Sequence, residues 1–444
     1  MIAIHKKKQY FIYFGIPFFY FFGEREMRKI TILGISALLC TPLLLQGCVS
    51  QNPRGTTSRP QLTAAEAATF TMERYFAQGG ALSAPDGPWS PSPARLPRAE
   101  SAWRVAPSGA PFTRIQQAVN AAINQHAAGD GRIYIRIEPG IYRETVYIPE
   151  GAPPITLYGA GDNPEAVRIE LAIDSQFPVT RYRQQVNSQQ QYREGDPAWY
   201  QYALCAGRTA RTIGTNCAAV MWSQSADFQL LNLSVVNSLL DNVDGGTHQG
   251  VALRTDGDRV QLENVRLLGR QDTLYVNTSN RRNEAVTDRI SRVYVKDSYI
   301  EGDVDYVFGR ANVVFDNVHF HTVSTRLSPE AYVLAPNTLP DNPCGFLVIY
   351  SRFTGDSGYR GGFKAKLGRA WDQGAGKTGY LPGKTANGQA LIANSTIDQS
   401  YDRLSPWGAA ATTSRPFRGN TAAERQLDDV AFNRLWEFNN HWQP

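Results

Sequence analysis

The chain has 444 residues, 42% of them hydrophobic, enough to bury a substantial core and too many for wholesale disorder. Its 38 Gly, 26 Pro, 8 Trp, 21 Tyr and 20 Phe favour a turn-rich, strand-rich fold over a helical bundle, because Gly and Pro interrupt helices while aromatic rings suit pleated surfaces. A formal charge of +5 favours anionic partners in general, but the body of the chain has no Lys/Arg tract with interleaved aromatics, which argues against nucleic acid.

At the amino end, Met27-Arg28-Lys29 and the apolar run Ile30–Leu45 read as a signal peptide over residues 27–47, with small Gly47 before the processing site. The run has 16 residues, short of the ~20 that span a bilayer. Leu45-Gln46-Gly47-Cys48 resembles a bacterial lipobox, which implies cleavage and lipidation at Cys48. Val49, where an aspartate would signal retention, implies anchoring in the outer membrane. Residues 1–26 precede a signal complete on its own Met27 and read as a misassigned start.

Residues 48–62 are expected to be a polar, lipidated tether with no core of its own. An amino-terminal arm follows over 63–103, with a short helix across Thr63–Phe76 and an irregular Pro-, Gly- and Ser-rich part across Ala81–Arg98. The main domain covers 104–444. In it Ile115, Ala118, Val119, Ala122 and Ile123 fall on one helical face, predicting a capping helix within Phe112–Ile123. Strands then dominate, beginning with the alternating run Arg132–Ile137 and the turn Glu138-Pro139-Gly140.

An apolar stretch closed in most copies by Asn or Asp recurs: Phe228–Asn232, Val260–Asn264, Val293–Asp297, Val313–Asn317, Phe346–Tyr350 and Ala390–Asn394. Corresponding positions are 32, 33, 20, 33 and 44 residues apart. Propeller blades need a steadier period, whereas a solenoid accepts loops of any length between rungs. The expected fold is therefore all-β, a right-handed single-stranded parallel β-helix with the Asn/Asp positions stacked at one corner. The polar insert Gln176–Cys217 cannot be a rung and is expected outside, walling a groove. Of the five cysteines, Cys40 leaves with the signal and Cys344 is left over. Cys205 and Cys217 are close enough to close one loop as a disulfide, the alternatives being two buried thiols or an incomplete metal pair.

With the repeat as a ruler, Asp272 lies eight residues after Asn264 and Asp305 eight after Asp297, with Gly269 and Gly302 each three residues before its aspartate. Successive rungs stack at ~4.8 Å, so the two carboxyl groups are expected close together on one face. Such a pair resists double ionisation and divides into an acid and a base or nucleophile, although turn-capping or calcium-binding aspartates would show the same register.

Five segments in order, Gly140–Glu144, Gln249–Leu253, Gly269–Tyr275, Gly302–Gly309 and Leu367–Trp371, resemble the signatures of pectin methylesterases, and the likeness spans roughly 104–444. The amino-terminal lipobox and arm resemble a bacterial outer-membrane lipoprotein branch of that family. The resemblance implies removal of methyl esters from galacturonate units of pectin or pectic oligomers. It implies Asp305 as nucleophile, Asp272 as general acid/base, Gln249 and Gln271 as amide donors to the oxyanion, Arg369 as partner of Asp305, and Trp371 as a sugar platform, with Tyr275 and Phe308 as further stacking candidates. Direct attack by water with Asp305 as base remains the other route. Ala370 replaces the usual Pro, Gly250 an Ala-like residue, and Tyr306-Val307 a Phe-Ile type pair; none removes a functional group, but all bear on substrate preference. The loop Asn277–Arg289 is expected to narrow the groove.

Glu144 reads as a structural acceptor for turn amides. His319 and His321 alternate onto one strand face without further ligands at suitable spacing and read as solvent-facing structural residues. No metal or organic cofactor is expected, no Gly-x-Ser-x-Gly elbow supports a serine hydrolase, and a monomer is the expected state. Two other functions compete: an acyl-thioester hydrolase using the same oxyanion site, and a non-catalytic pectin-binding lipoprotein, against which the intact Asp272, Asp305 and Arg369 set argues.

Overall fold

Alternation along the chain becomes alternation across a wall. In the strand Ile133–Ile137 the three isoleucines are buried while Tyr134 and Arg136 stay half-exposed, as a pleat of period two requires. The computed structural model describes residues 53–77, 86–96, 101–326, 331–359 and 363–444. Among them, parallel strands stack into three sheets of 10, 9 and 7 strands. One rung runs through Val260–Glu263, Arg266–Leu268 and Leu274–Val276, one strand per sheet, and the next repeats it through Arg292–Lys296, Tyr299–Gly302 and Val307–Gly309. Each strand pairs with its counterpart one rung away, the architecture of a parallel β-helix, right-handed as parallel crossovers are. Val, Leu, Ile and Phe from all three sheets fill the interior with essentially no exposure, each contributing about 1.5–3 kcal/mol by leaving water.

The repeated Asn/Asp residue turns out to be a backbone device. Asn232, Asn264, Asp297, Asn317, Asn394 and Asn439 all hold φ between +47° and +55°, the left-handed region that asparagine and aspartate tolerate better than most residues. Their side chains bond along the stack: Asn264 Nδ2 donates to Asn232 Oδ1 at 2.9 Å, Asn317 to Asp297 at 2.6 Å, and Asn439 to Asn394 at 2.8 Å. A serine ladder beside it carried no recognised sequence signal. Ser298, Ser351 and Ser395 accept from the backbone N–H groups of Val265, Val318 and Ser351.

The capping helix spans Ile115–Gln125, and Glu144 accepts from the N–H groups of Ile115 and Gln116 at its start, at 2.9 and 3.1 Å. That is the structural role read for Glu144. Burial pushes its carboxyl up to about 7 against those two bonds. The helix expected over Thr63–Phe76 is two short helices, Ala64–Ala67 and Met72–Ala77, the first closed by a Thr63/Glu66 capping box. The polar segment expected to be a free tether is docked from Gly55 onward. Gly55–Thr56 and Arg59–Pro60 form a hairpin, Arg59 pairs with buried Glu437 at 2.8 Å, and Leu62 is buried. The arm of residues 86–96 lies on the domain through Trp89 against Phe76 and through Ser92 O, which accepts from Gln261.

The segments read as a misassigned start (1–26) and a signal peptide (27–47), together with Cys48, lie outside the described residues. No helix among those described is long and apolar enough to cross a membrane. Cys344 is a buried free thiol beneath the arm.

Candidate active site

The aspartates of the register argument stand on neighbouring rungs. Leu274 pairs with Val307 and Tyr275 with Phe308, and Asp272 N–H donates to Val304 O at 3.1 Å. Both aspartates hold left-handed backbone, with φ of +71° and +50°, conformations that cost energy and persist only when the surroundings enforce them. Gly302 lets the turns nest, since a Cβ there would stand 2.3 Å from Tyr306 Cβ and 2.6 Å from Arg270 O. Asp303 locks the turn before Asp305 by accepting from Val304 N–H at 2.6 Å while forming a fully buried pair with Arg326, also 2.6 Å.

Arg369 arrives from the rung two steps on, just after the strand Lys366–Gly368. Its Nε and Nη2 donate to Oδ1 and Oδ2 of Asp305, both at 2.8 Å. Such a fork holds a carboxylate in one orientation and in its charged form. Asp272 has the opposite surroundings. It is almost fully buried, and desolvation first, then the charge of Asp305, raise its carboxyl well above the usual range. The pair is thus unequal: Asp305 is held by a cation, while burial and the neighbouring charge disfavour ionisation of Asp272.

The two glutamines flank this pair with fixed amides. Gln249 Oε1 accepts from Thr215 Oγ1 at 2.7 Å, and Gln271 Oε1 accepts from His248 N–H at 3.0 Å, which leaves each amide NH₂ as the group to donate into the cleft. His248 is itself clamped between Asp174 at 2.7 Å and Asp244 at 3.0 Å. Thr215, His248 and Asp174 were not singled out from sequence. Only Thr215 lay within a segment already noted, the insert Gln176–Cys217; His248 stands one residue before Gln249–Leu253.

The cleft has a volume of about 460 Å³ and brings together Gln249, Gln271, Asp272, Tyr275, Asp305, Phe308, Arg369 and Trp371, all eight of the cleft residues expected from sequence. Tyr275 and Phe308 stack at 4.2 Å but are only 3% and 4% exposed. They form the floor of the cleft, with little ring face exposed. Trp371, half-buried and tilted 5.7 Å from Phe308, presents the available ring face.

The insert walls the cleft as expected, and it is more ordered than its polar sequence suggests. Helices Val179–Val186 and Trp199–Ala206 pack through stacked Tyr182, Tyr192 and Tyr202 onto Tyr147 and Trp222 of the solenoid. Cys205 and Cys217 form a disulfide, and the loop it closes supplies Arg208, Gly214, Thr215 and Asn216 to the wall. Closure of a loop this short restrains the unfolded chain by about 3 kcal/mol. Reduction should therefore free Thr215 and loosen Gln249, lowering kcat/KM several-fold and destabilising the insert, while the far-UV signal of the solenoid at ambient temperature is retained. Global unfolding in mild reductant would contradict this placement.

Two expectations are corrected. Asn277–Arg289 does not narrow the cleft and supplies no lining residue, because buried Arg254 holds Asn283, Gln224 holds Asn280 O, and Arg281 sits over the Tyr200 ring. The opposite wall instead comes from Ala411 and Thr412, on a loop tied back by the Arg415–Asp372 fork. His319 and His321 are half-buried, not solvent-facing, and both bond Thr354 Oγ1. Burial lowers His319 to about 4. Among the described residues no group of three or more His, Cys, Asp or Glu side chains could hold a metal ion.

A solenoid carrying a buried acid, a clamped carboxylate and two oriented amides in one cleft has the parts of an acyl-transfer hydrolase. The sequence profile described as Pectinesterase matches residues 204–378. The chain is 61% identical to Pectinesterase B of Dickeya dadantii, over 91% of this chain and 97% of that protein. It is 43% identical to the Escherichia coli protein named putative acyl-CoA thioester hydrolase YbhC, over 93% and 97% of the two chains. The solved structure of Escherichia coli YbhC superposes with a TM-score of 0.81, at 43% identity over 88% of this chain and 96% of that one. Rice weevil pectin methyl esterase superposes at 0.77, with 38% identity over 88% and 98%. The chain belongs to the pectinesterase family and is a hydrolase of carboxylic esters.

Proposed function

We propose that this protein removes methyl esters from the galacturonate units of pectin or pectic oligomers, with Asp305 as nucleophile and Asp272 as general acid and base. The observation that carries the reading is the unequal pair: Asp305 forked by Arg369, and Asp272 buried beside it with its ionisation disfavoured. Asp305 attacks the ester carbonyl, and the NH₂ groups of Gln249 and Gln271 take up the charge that develops on its oxygen. Asp272 gives its proton to departing methanol, then withdraws one from the water that frees the uronate. Trp371 supplies the ring face against which a sugar packs. Names of relatives support the substrate class, since Dickeya dadantii and rice weevil proteins of this sequence type are called pectinesterase and pectin methyl esterase.

The likeness to a protein named as a thioester hydrolase favours a second reading in which the same oxyanion site serves an acyl thioester. Purified protein separates the two. Methanol release from methyl-esterified oligogalacturonate is the expected result, and thiol release from acyl thioesters without methanol would overturn it. The lipobox Leu45–Cys48 supports a further part of the proposal, that the mature protein is held at the bacterial outer membrane by lipid on Cys48. Metabolic labelling with a fatty acid should mark the wild type and not Cys48→Ser.

A further inference from the structure

One outward row beyond the reacting residues lies a guanidinium, that of Arg310, which no carboxylate among the described residues contacts. Phe308, Ala335 and Arg369 occupy neighbouring rungs, and two positions further along each chain stand Arg310, Asn337 and Trp371. The step between rows is about 7 Å at ~3.3 Å per residue. Arg310 is only 8% exposed, its Nε and Nη1 meet no acceptor, and no carboxylate pairs with it among the described residues. Burial lowers its pKa. A buried charge with unmet N–H groups is costly, and hydrogen bonds or an added anion nearby would offset that cost.

Gln373 is the group through which the field reaches the cleft. Its Oε1 accepts from both Arg310 Nη2 and Asn337 Nδ2. Those two donors fix the flip of the amide, so that its NH₂ is left to face the cleft that Gln373 lines beside Trp371. An amide whose oxygen is held by a guanidinium is polarised into a stronger N–H donor. The wall opposite carries a second cation, Arg208, exposed at the rim and paired with no carboxylate among the described residues.

Building on the pectinesterase reading above, we propose that Gln373, positioned and polarised by Arg310, is a specificity-determining donor that binds the free carboxylate of a uronate unit neighbouring the ester under attack. Substrates already partly de-esterified then bind better than fully esterified ones, because the neighbour brings a carboxylate to an amide polarised by a guanidinium that no described carboxylate contacts. Arg310 is a positioning residue in this scheme, acting through Gln373.

The clean variant is Gln373→Glu, which is isosteric and places a carboxylate against Arg310. It should keep or raise Tm by completing an ion pair while turning the subsite from anion-attracting to anion-repelling. Measured by methanol release, wild-type kcat/KM should be higher on an oligogalacturonate methyl ester with a free uronate beside the ester than on the fully esterified oligomer. Gln373→Glu should lower that ratio about tenfold, mainly through KM, and Arg310→Lys should retain more of it than Arg310→Met. A ratio unchanged within twofold in folded Gln373→Glu, or an equal loss on both substrates, would overturn the inference while leaving the esterase reading intact. Absence of methanol from either substrate with the wild type would overturn both.

Discussion

Asp305→Asn is expected to eliminate ester turnover in a folded protein, with a loss of about 10³-fold or more. The amide is nearly the same shape as the carboxylate, but it has no charge with which to attack the carbonyl, and one end of it presents N–H to the Arg369 fork that now meets two acceptor oxygens at 2.8 Å. Arg369→Ala should approach the same loss by another route, since Asp305 then loses the cation that orients it and keeps it ionised. Arg369 also stacks over the Tyr332 ring at 3.9 Å. Arg369→Lys is the informative companion, because it keeps a charge without the fork. If geometry matters as argued, it should recover only a small part of the activity. Near-normal turnover in folded Arg369→Ala would reject the role.

The register that places these residues was readable because a solenoid repeats its backbone. Asn264 and Asp297 mark the same corner on two rungs, so counting eight residues onward from each finds Asp272 and Asp305 without knowledge of the loops between. Side chains that work across rungs left no such mark. Thr215 reaches Gln249 from an insert 34 residues earlier, and Asp303 meets Arg326 from 23 residues away. Neither pairing follows from a local pattern. The helices of the insert were missed because its Gln- and Arg-rich sequence hides a short apolar face in which valines share the burial with tyrosines, whose rings are buried while hydroxyls find partners, as those of Tyr147 and Tyr182 do with each other at 2.7 Å. The burial of Tyr275 and Phe308 was equally illegible. Aromatic residues beside a catalytic motif read as stacking candidates, and only the structure shows that adjacent rungs at ~4.8 Å bring the two rings face to face at the floor of the cleft.

Asp272→Asn separates proton transfer from attack. The substitution keeps the size of the side chain and removes the proton donor, so methyl ester turnover should fall by the ~10²–10⁴ that general acid catalysis contributes. An aryl ester, whose leaving group departs without protonation, should recover much of that loss in Asp272→Asn and none of it in Asp305→Asn. In the wild type, methyl ester turnover should decline as pH rises through the elevated pKa of Asp272, a limb that Asp272→Asn and the aryl ester should both lack. Stability carries the same sign. A carboxyl raised on folding takes up a proton relative to the unfolded chain, so the fold loses stability as pH climbs from about 4 through the raised value, with desolvation the leading cause. Asp272→Asn removes the group that ionises at such expense. It should melt above the wild type at neutral pH and converge with it near pH 3, where both side chains are neutral. A variant less stable than the wild type at neutral pH, or equal rescue of both aspartate variants by the aryl ester, would refute the division of labour between the two carboxyls.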